Sequence, residues 1–198
     1  MYDFYQLFQQ GGVVKQKPDL KKRAKDLKPH GQEMDAFFGT LGYGSASDFI
    51  TNIMGQETYY GSPTFYDKTK LHSMGLSQVD PIRYKDLITD IADPKAPGWG
   101  ARAKALNDYM QAKPGYKDWD ISKLATMKGD KYTGFSRFVD DPLTNFMLSR
   151  MLLTKDKKFS SYENLPDIAQ AGIWKTIWNT LEGKGKITEF TEKIDKYR

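Results

Sequence analysis

Apolar residues recur at helical spacing in several separate stretches of the chain. From Gln32, the residues Met34, Phe37 and Phe38 share one helical face until Gly39, Gly42 and Gly44 interrupt it. Phe49, Ile50, Ile53 and Met54 form the next face. Ser47 is placed as its N-cap and Asp48 in its first turn complements the helix dipole, so a helix is predicted from Ser47 to near Glu57, ending before Gly61-Ser62-Pro63. Pro81 to Ile91 and Ala101 to Ala112 read as two further helices, separated by the breaker-rich run Asp93-Pro94-Lys95-Ala96-Pro97-Gly98. The last third is the most regular, with helices predicted over Pro142 to Leu153, Pro166 to Leu181 and Ile187 to Tyr197. Residues 61 to 75 read as a loop or short irregular hairpin, and 116 to 133 as loop with one short helix. Strand signals are weak throughout. The expected class is mainly α, a helical domain with a small irregular or β element.

Composition narrows the picture. With 198 residues, 39% hydrophobic and 14% aromatic, the chain is large enough for one well-buried core and too apolar to be disordered. It has no Cys, which removes disulfide scaffolding, thiol catalysis, iron–sulfur clusters and thiolate zinc sites. His30 and His72 have no acidic or imidazole partners at ligand spacing, and no Gly-rich phosphate loop follows a strand, so neither a metal nor a nucleotide cofactor is expected. No apolar run approaches the length of a membrane span, since Phe146 to Leu153 is broken by Ser149 and Arg150. Met1 to Gln10 has neither a basic start nor a continuous apolar core, so no secretory signal is expected.

The formal charge of +5 is concentrated in one place. Lys15, Lys17, Lys21, Lys22, Arg23, Lys25 and Lys28 face only Asp19 and Asp26, and this stretch carries the whole excess of 30 basic over 25 acidic residues. Residues 1–31 therefore read as a basic N-terminal arm, ending at Pro29-His30-Gly31, on a nearly neutral body of residues 32–198. Such an arm suits an anionic partner, whether nucleic acid, lipid headgroups, a wall polymer or a neighbouring protein, or it is a solvated helix face.

Glu57 is the candidate for chemistry. It closes an apolar helix, where the negative pole of the dipole and the following Thr58-Tyr59-Tyr60 favour its protonated form. Together, Met54-Gly55-Gln56-Glu57-Thr58 and Gly75-Leu76-Ser77-Gln78-Val79-Asp80-Pro81 resemble the first two motifs of the lytic transglycosylases, lysozyme-like enzymes that cleave peptidoglycan. Asp141-Pro142-Leu143-Thr144-Asn145-Phe146 is similar to the family's helix with an early Asn. Ile173 to Asn179 with Gly183-Lys184-Gly185 resembles its aromatic-Asn and glycine segment, in the form carried by virion-associated enzymes of tailed bacteriophages. Ser77 stands where the family usually has Met, Ile177-Trp178-Asn179 replaces Ala-Tyr-Asn, and residues 92–137 look like an insertion.

The resemblance implies a lysozyme-like fold with a cleft, in which one carboxyl group cleaves the β-1,4 bond between N-acetylmuramic acid and N-acetylglucosamine. Glu57 would act as acid and then as base, leaving an anhydromuramic end, without cofactor or metal. Thr58, Tyr60, Gly75, Leu76, Gln78, Asn145, Trp178 and Asn179 would bind substrate. Gln78 is equally a turn amide, and Trp174 and Trp178, four apart on one helix face, read as core ahead of sugar platform. Two alternatives stand beside this reading. One is a hydrolytic lysozyme or endolysin with Asp67 or Asp80 as second carboxylate; the other is a non-enzymatic virion or DNA-binding protein on the same body. The resemblance further implies a place in the phage virion, with ejection to the host wall.

Overall fold

The computed structural model describes residues 19–61, 72–95, 99–155, 162, 165–178 and 185–197. Its elements are α1 (Leu20–Thr40), α2 (Ser47–Thr58), α3 (Pro81–Ala92), α4 (Ala103–Gln111), β1 (Ala125–Lys128), β2 (Lys131–Phe135), α5 (Pro142–Lys155), α6 (Asp167–Ile173) and α7 (Ile187–Tyr197). The fold is mainly helical. The strands β1 and β2 form a two-stranded antiparallel hairpin with an irregularity at Thr126/Met127. Among the described residues no helix is long and apolar enough to cross a membrane.

Helix α5 lies at the centre. Every residue from Leu143 to Thr154 is buried, as expected for a helix covered on all sides. Asp141 opens it, its Oδ2 accepting the Thr144 N–H at 2.7 Å, with Pro142 at the first helical position. The one charge in this buried stretch, Arg150, donates to the Gly44 carbonyl and lies 5.7–5.9 Å from the ring centroids of Phe38, Tyr43 and Tyr162. Aromatic faces thus replace part of the water that the guanidinium loses on burial. Around α5, α1 packs on both α2 and α5, α2 on α7, and α6 on α7.

The boundary expected at residue 31 falls inside α1, which continues through Pro29 and Gly31 to Thr40. Pro29 removes one backbone donor, but burial of Leu27, Gly31, Met34 and Phe38 on one face carries the helix across it. Gly31 is the point of closest approach. A Cβ there would stand 2.6 Å from Ser47 Cβ and 3.0 Å from the Phe146 ring. Residues 1–18 of the expected arm lie outside the described residues, but its second half is a core helix with an exposed basic side.

Two other local expectations are corrected. Ser47 is the first helical residue of α2 and does not cap it. The carboxylate of Asp35, from α1, accepts the Ala46 and Ser47 N–H groups at 2.9 and 3.1 Å. The hairpin lies at 125–135, mostly inside the 116–133 stretch read as loop, where the two-residue Gly129-Asp130 connection is its local signal. Most of the loop expected over 61–75 lies outside the described residues. The segment 92–137 contributes Trp99, Leu106, Met110, Trp119, Ile121, Leu124 and Tyr132 to the common core, so it is built into the domain.

Candidate active site

A four-residue turn, Gly75 to Gln78, sits between Met74 and Val79, which pair as an isolated antiparallel bridge with two 2.8 Å hydrogen bonds. Three elements fasten it. From α5, Asn145 Oδ1 accepts the Leu76 N–H at 2.7 Å while its Nδ2 donates to the carbonyls of Val139 and Asp141, both at 2.8 Å. One helical turn later, Ser149 Oγ meets Ser77 Oγ at 2.7 Å. From the hairpin, the Tyr132 hydroxyl donates to the Val79 carbonyl at 3.0 Å. From the other side, Trp178 Nε1 donates to the Ser77 carbonyl. Gly75 has φ +71°, and a Cβ on it would stand 2.2 Å from Asn145 Oδ1, so the turn excludes any side chain there.

Helix α2 reaches this turn at its C-terminal end. Thr58, 1% exposed, hydrogen-bonds through its hydroxyl with the carbonyls of Met54 and Leu76 and accepts the Gly61 N–H at 3.1 Å. The chain leaves α2 through Tyr59 and Tyr60, whose φ values of 50° and 58° are left-handed. Such a conformation costs of order 1 kcal/mol for each non-Gly residue. It is held by the bonds from Tyr59 N to Gly55 O and Tyr60 N to Met54 O and by burial of the Tyr60 ring over Gly55. Gln78 also has a positive φ, 52°, so two strained segments meet beside Glu57.

Glu57 lies between these segments and the C-terminal helices. Trp174 Nε1 donates to its Oε1 at 2.7 Å, while Oε2 makes no hydrogen bond among the described residues. Trp174 is itself 1% exposed and stacks on Phe190 at 5.0 Å. Burial of the carboxyl raises its pKa from 4.5 to about 7. The Trp174 N–H and the positive charge of Lys193 oppose that rise, and the carboxylate of Asp80 adds to it. Lys193, on α7, lies 4.2 Å over the Tyr59 ring and donates to the Gln56 carbonyl at 3.1 Å. Its own pKa is lowered by burial, against the pull of Glu57 and Glu189.

Next to the turn is an open cleft of about 350 Å³, walled by Gln78, Asp80, Arg83 and Asp86 on one side and by Ile177 and Trp178 on the other. The Asp80 carboxyl is also raised, mainly by partial burial, against a hydrogen bond from Ser73 and the charge of Arg83. Gln78 spends one amide hydrogen on the Gly75 carbonyl, at 2.9 Å, so it is at once a turn amide and a cleft wall. Trp178 is 9% exposed, with its N–H turned into the protein and part of the residue lining the cleft. A π-helical turn over Trp174–Trp178 continues α6 and carries both tryptophans, where a regular helix to Leu181 was expected. Such turns recur at functional sites.

Several expected substrate contacts have internal roles instead. Thr58 and Asn145 are each 1% exposed with their polar atoms bonded to protein, and Leu76 and Tyr60 are each 6% exposed. They build the turn that shapes the cleft, and Gly75 admits the close approach of Asn145. Asn179 and Asp67 lie outside the described residues. Trp174 and Lys193, the two groups that favour the Glu57 carboxylate, carry no local sequence signal for that role. A lysine on a terminal amphipathic helix reads as solvated, and Trp174 reads as core. Among the described residues no three His, Asp or Glu side chains converge as a metal site requires. No protein-family description, curated protein or solved structure matches the chain.

Proposed function

We propose that the protein is a glycosidase-like enzyme of lysozyme-like architecture that cleaves the β-1,4 bond between N-acetylmuramic acid and N-acetylglucosamine in peptidoglycan, as a lytic transglycosylase. The observation that carries this reading is Glu57, a carboxyl whose pKa of about 7 keeps it protonated in mildly acidic solution and about half protonated at neutral pH. Its Oε1 is occupied by the Trp174 N–H, which leaves Oε2 to hold the transferable proton.

In the first step Oε2 donates that proton to the glycosidic oxygen as the bond to the muramic C1 breaks. The resulting carboxylate is stabilised by the Trp174 hydrogen bond and by the Lys193 charge. In the second step the muramic O6 attacks C1, and the carboxylate takes the O6 proton, which restores the acid and closes a 1,6-anhydro ring without water. Gln78 and the Trp178 side of the cleft hold the sugar. A hydrolytic reading has one observation in its favour, the proximity of Asp80, whose charge raises the Glu57 pKa and which could steer a water. In either case the enzyme would reach the wall from an infecting virion.

Mass spectrometry of peptidoglycan digested by the full chain tests this. Anhydromuramic ends, absent with Glu57→Gln, are the expected result; reducing ends would assign the reaction to a hydrolase, and no release of fragments would refute both.

A further inference from the structure

The exposed side of α1 forms a second groove, whose lining does not include Glu57. Lys21, Lys25 and Lys28 follow one another at helical spacing along one face. Across about 460 Å³ of open space they face Thr51 and Asn52 of α2, with Asp48 at one edge. None of the three lysines has an ion pair or hydrogen bond among the described residues. The stretch around them carries the whole net charge of the chain.

The geometry points to this groove as a binding site for a flexible phosphodiester chain without bases, of the poly(glycerol phosphate) type. Along the axis the three lysine backbones are ~4.5 and ~6 Å apart, from a rise of 1.5 Å per residue, and their flexible four-carbon stems let the ammonium groups spread along successive phosphates of one chain. The walls disfavour both forms of nucleic acid that three lysines attract. A groove of this volume between two helices admits a single thin chain and not a duplex. Single-stranded nucleic acid gains its affinity from bases stacked on aromatic faces, and the one aromatic residue here, Tyr60, is 6% exposed. What remains is phosphate binding by point charges, with Thr51 and Asn52 as polar partners for hydroxyls. Asp48 opposes the ligand and keeps the affinity modest.

Glu57 is not among the residues that line this groove, and binding tests it directly. Titration of the full chain with short poly(glycerol phosphate), followed by calorimetry over a range of NaCl concentrations, should show binding that weakens with a log–log salt slope near −2, the value for about three released counterions on a single strand. The K21Q/K25Q/K28Q variant, which keeps helix propensity and leaves the buried face of α1 untouched, should lose at least tenfold in affinity and most of the salt slope. D48N should bind severalfold more tightly, and E57Q as wild type. Oligo-dT and duplex DNA of equal phosphate content should bind more weakly. Equal affinity of the triple variant, tighter binding of either DNA, or no binding at low salt would overturn the assignment. Should the triple variant lose its far-UV helical signal, D48N decides, and unchanged affinity there counts against the site.

Discussion

Glu57→Gln isolates the energetic cost of keeping an acid buried. Below pH 4.5 the carboxyl is protonated in both folded and unfolded chains, so replacing it with the isosteric amide changes little. Between 4.5 and about 7 the unfolded chain ionises while the folded one keeps its proton, and wild-type stability falls as pH rises. Above 7 the loss is complete. The displacement from 4.5 to about 7, at ~1.4 kcal/mol per pH unit, amounts to about 3 kcal/mol. For a domain of this size that is roughly 6–12 °C in Tm. Thermal unfolding of both proteins at pH 4 and pH 8 gives the difference of differences, in which every other titrating group cancels to first order. E57Q should match wild type at pH 4 and exceed it at pH 8, with the gain developing between those values. A gain that is the same at both, or a loss at pH 8, would show that Glu57 is not held protonated by burial and would remove the basis for its role as acid.

Three further outcomes follow from the contacts. Trp174→Phe and Lys193→Met each remove a group that favours the Glu57 carboxylate, so its pKa should rise above 7, read by carbon-13 NMR titration, and the alkaline limb of the activity profile should move to higher pH. Asn145→Ala strands the Leu76 N–H and two carbonyls in a buried site and should cost about 2–4 kcal/mol in denaturant unfolding. Gly31→Ala discriminates between local and tertiary effects: helix propensity alone would stabilise by ~1 kcal/mol, whereas a Cβ 2.6 Å from Ser47 predicts a loss of about 1–3 kcal/mol.

Gln56 and Arg150 show how closely the site and core are joined. Lys193 reaches Glu57 by way of the Gln56 carbonyl at the end of α2, and α2 is held at its start by Asp35 of α1. Beside that junction, Arg150 ties α5 to the Gly44 carbonyl between α1 and α2. A change at either end of α2 is therefore expected to move the carboxyl, which links the stability of the bundle to the chemistry proposed for it.

What the sequence alone determined was local. Apolar periodicity located α2 to α5 and α7 to within a few residues, along with the second half of α1 and the start of α6, because the repeat of a helix is written in neighbours three and four apart. Glu57 was legible as a carboxyl at a helix end among aromatics, since both features lie within its own segment. The hairpin was missed because its strands are short and only partly buried, so alternation is faint. Tertiary structure decided the rest. α1 runs through Pro29 and Gly31 because α2 and α5 bury its face. Asp35 replaces Ser47 as cap. Asn145 and Thr58 turn inward because their polar atoms find backbone partners far away in the chain. The proton affinity of Glu57 depends on Trp174, Lys193 and Asp80, brought to one carboxyl from three distant segments. Desolvation and charge act through space, and spacing along the chain does not record which groups folding will bring together.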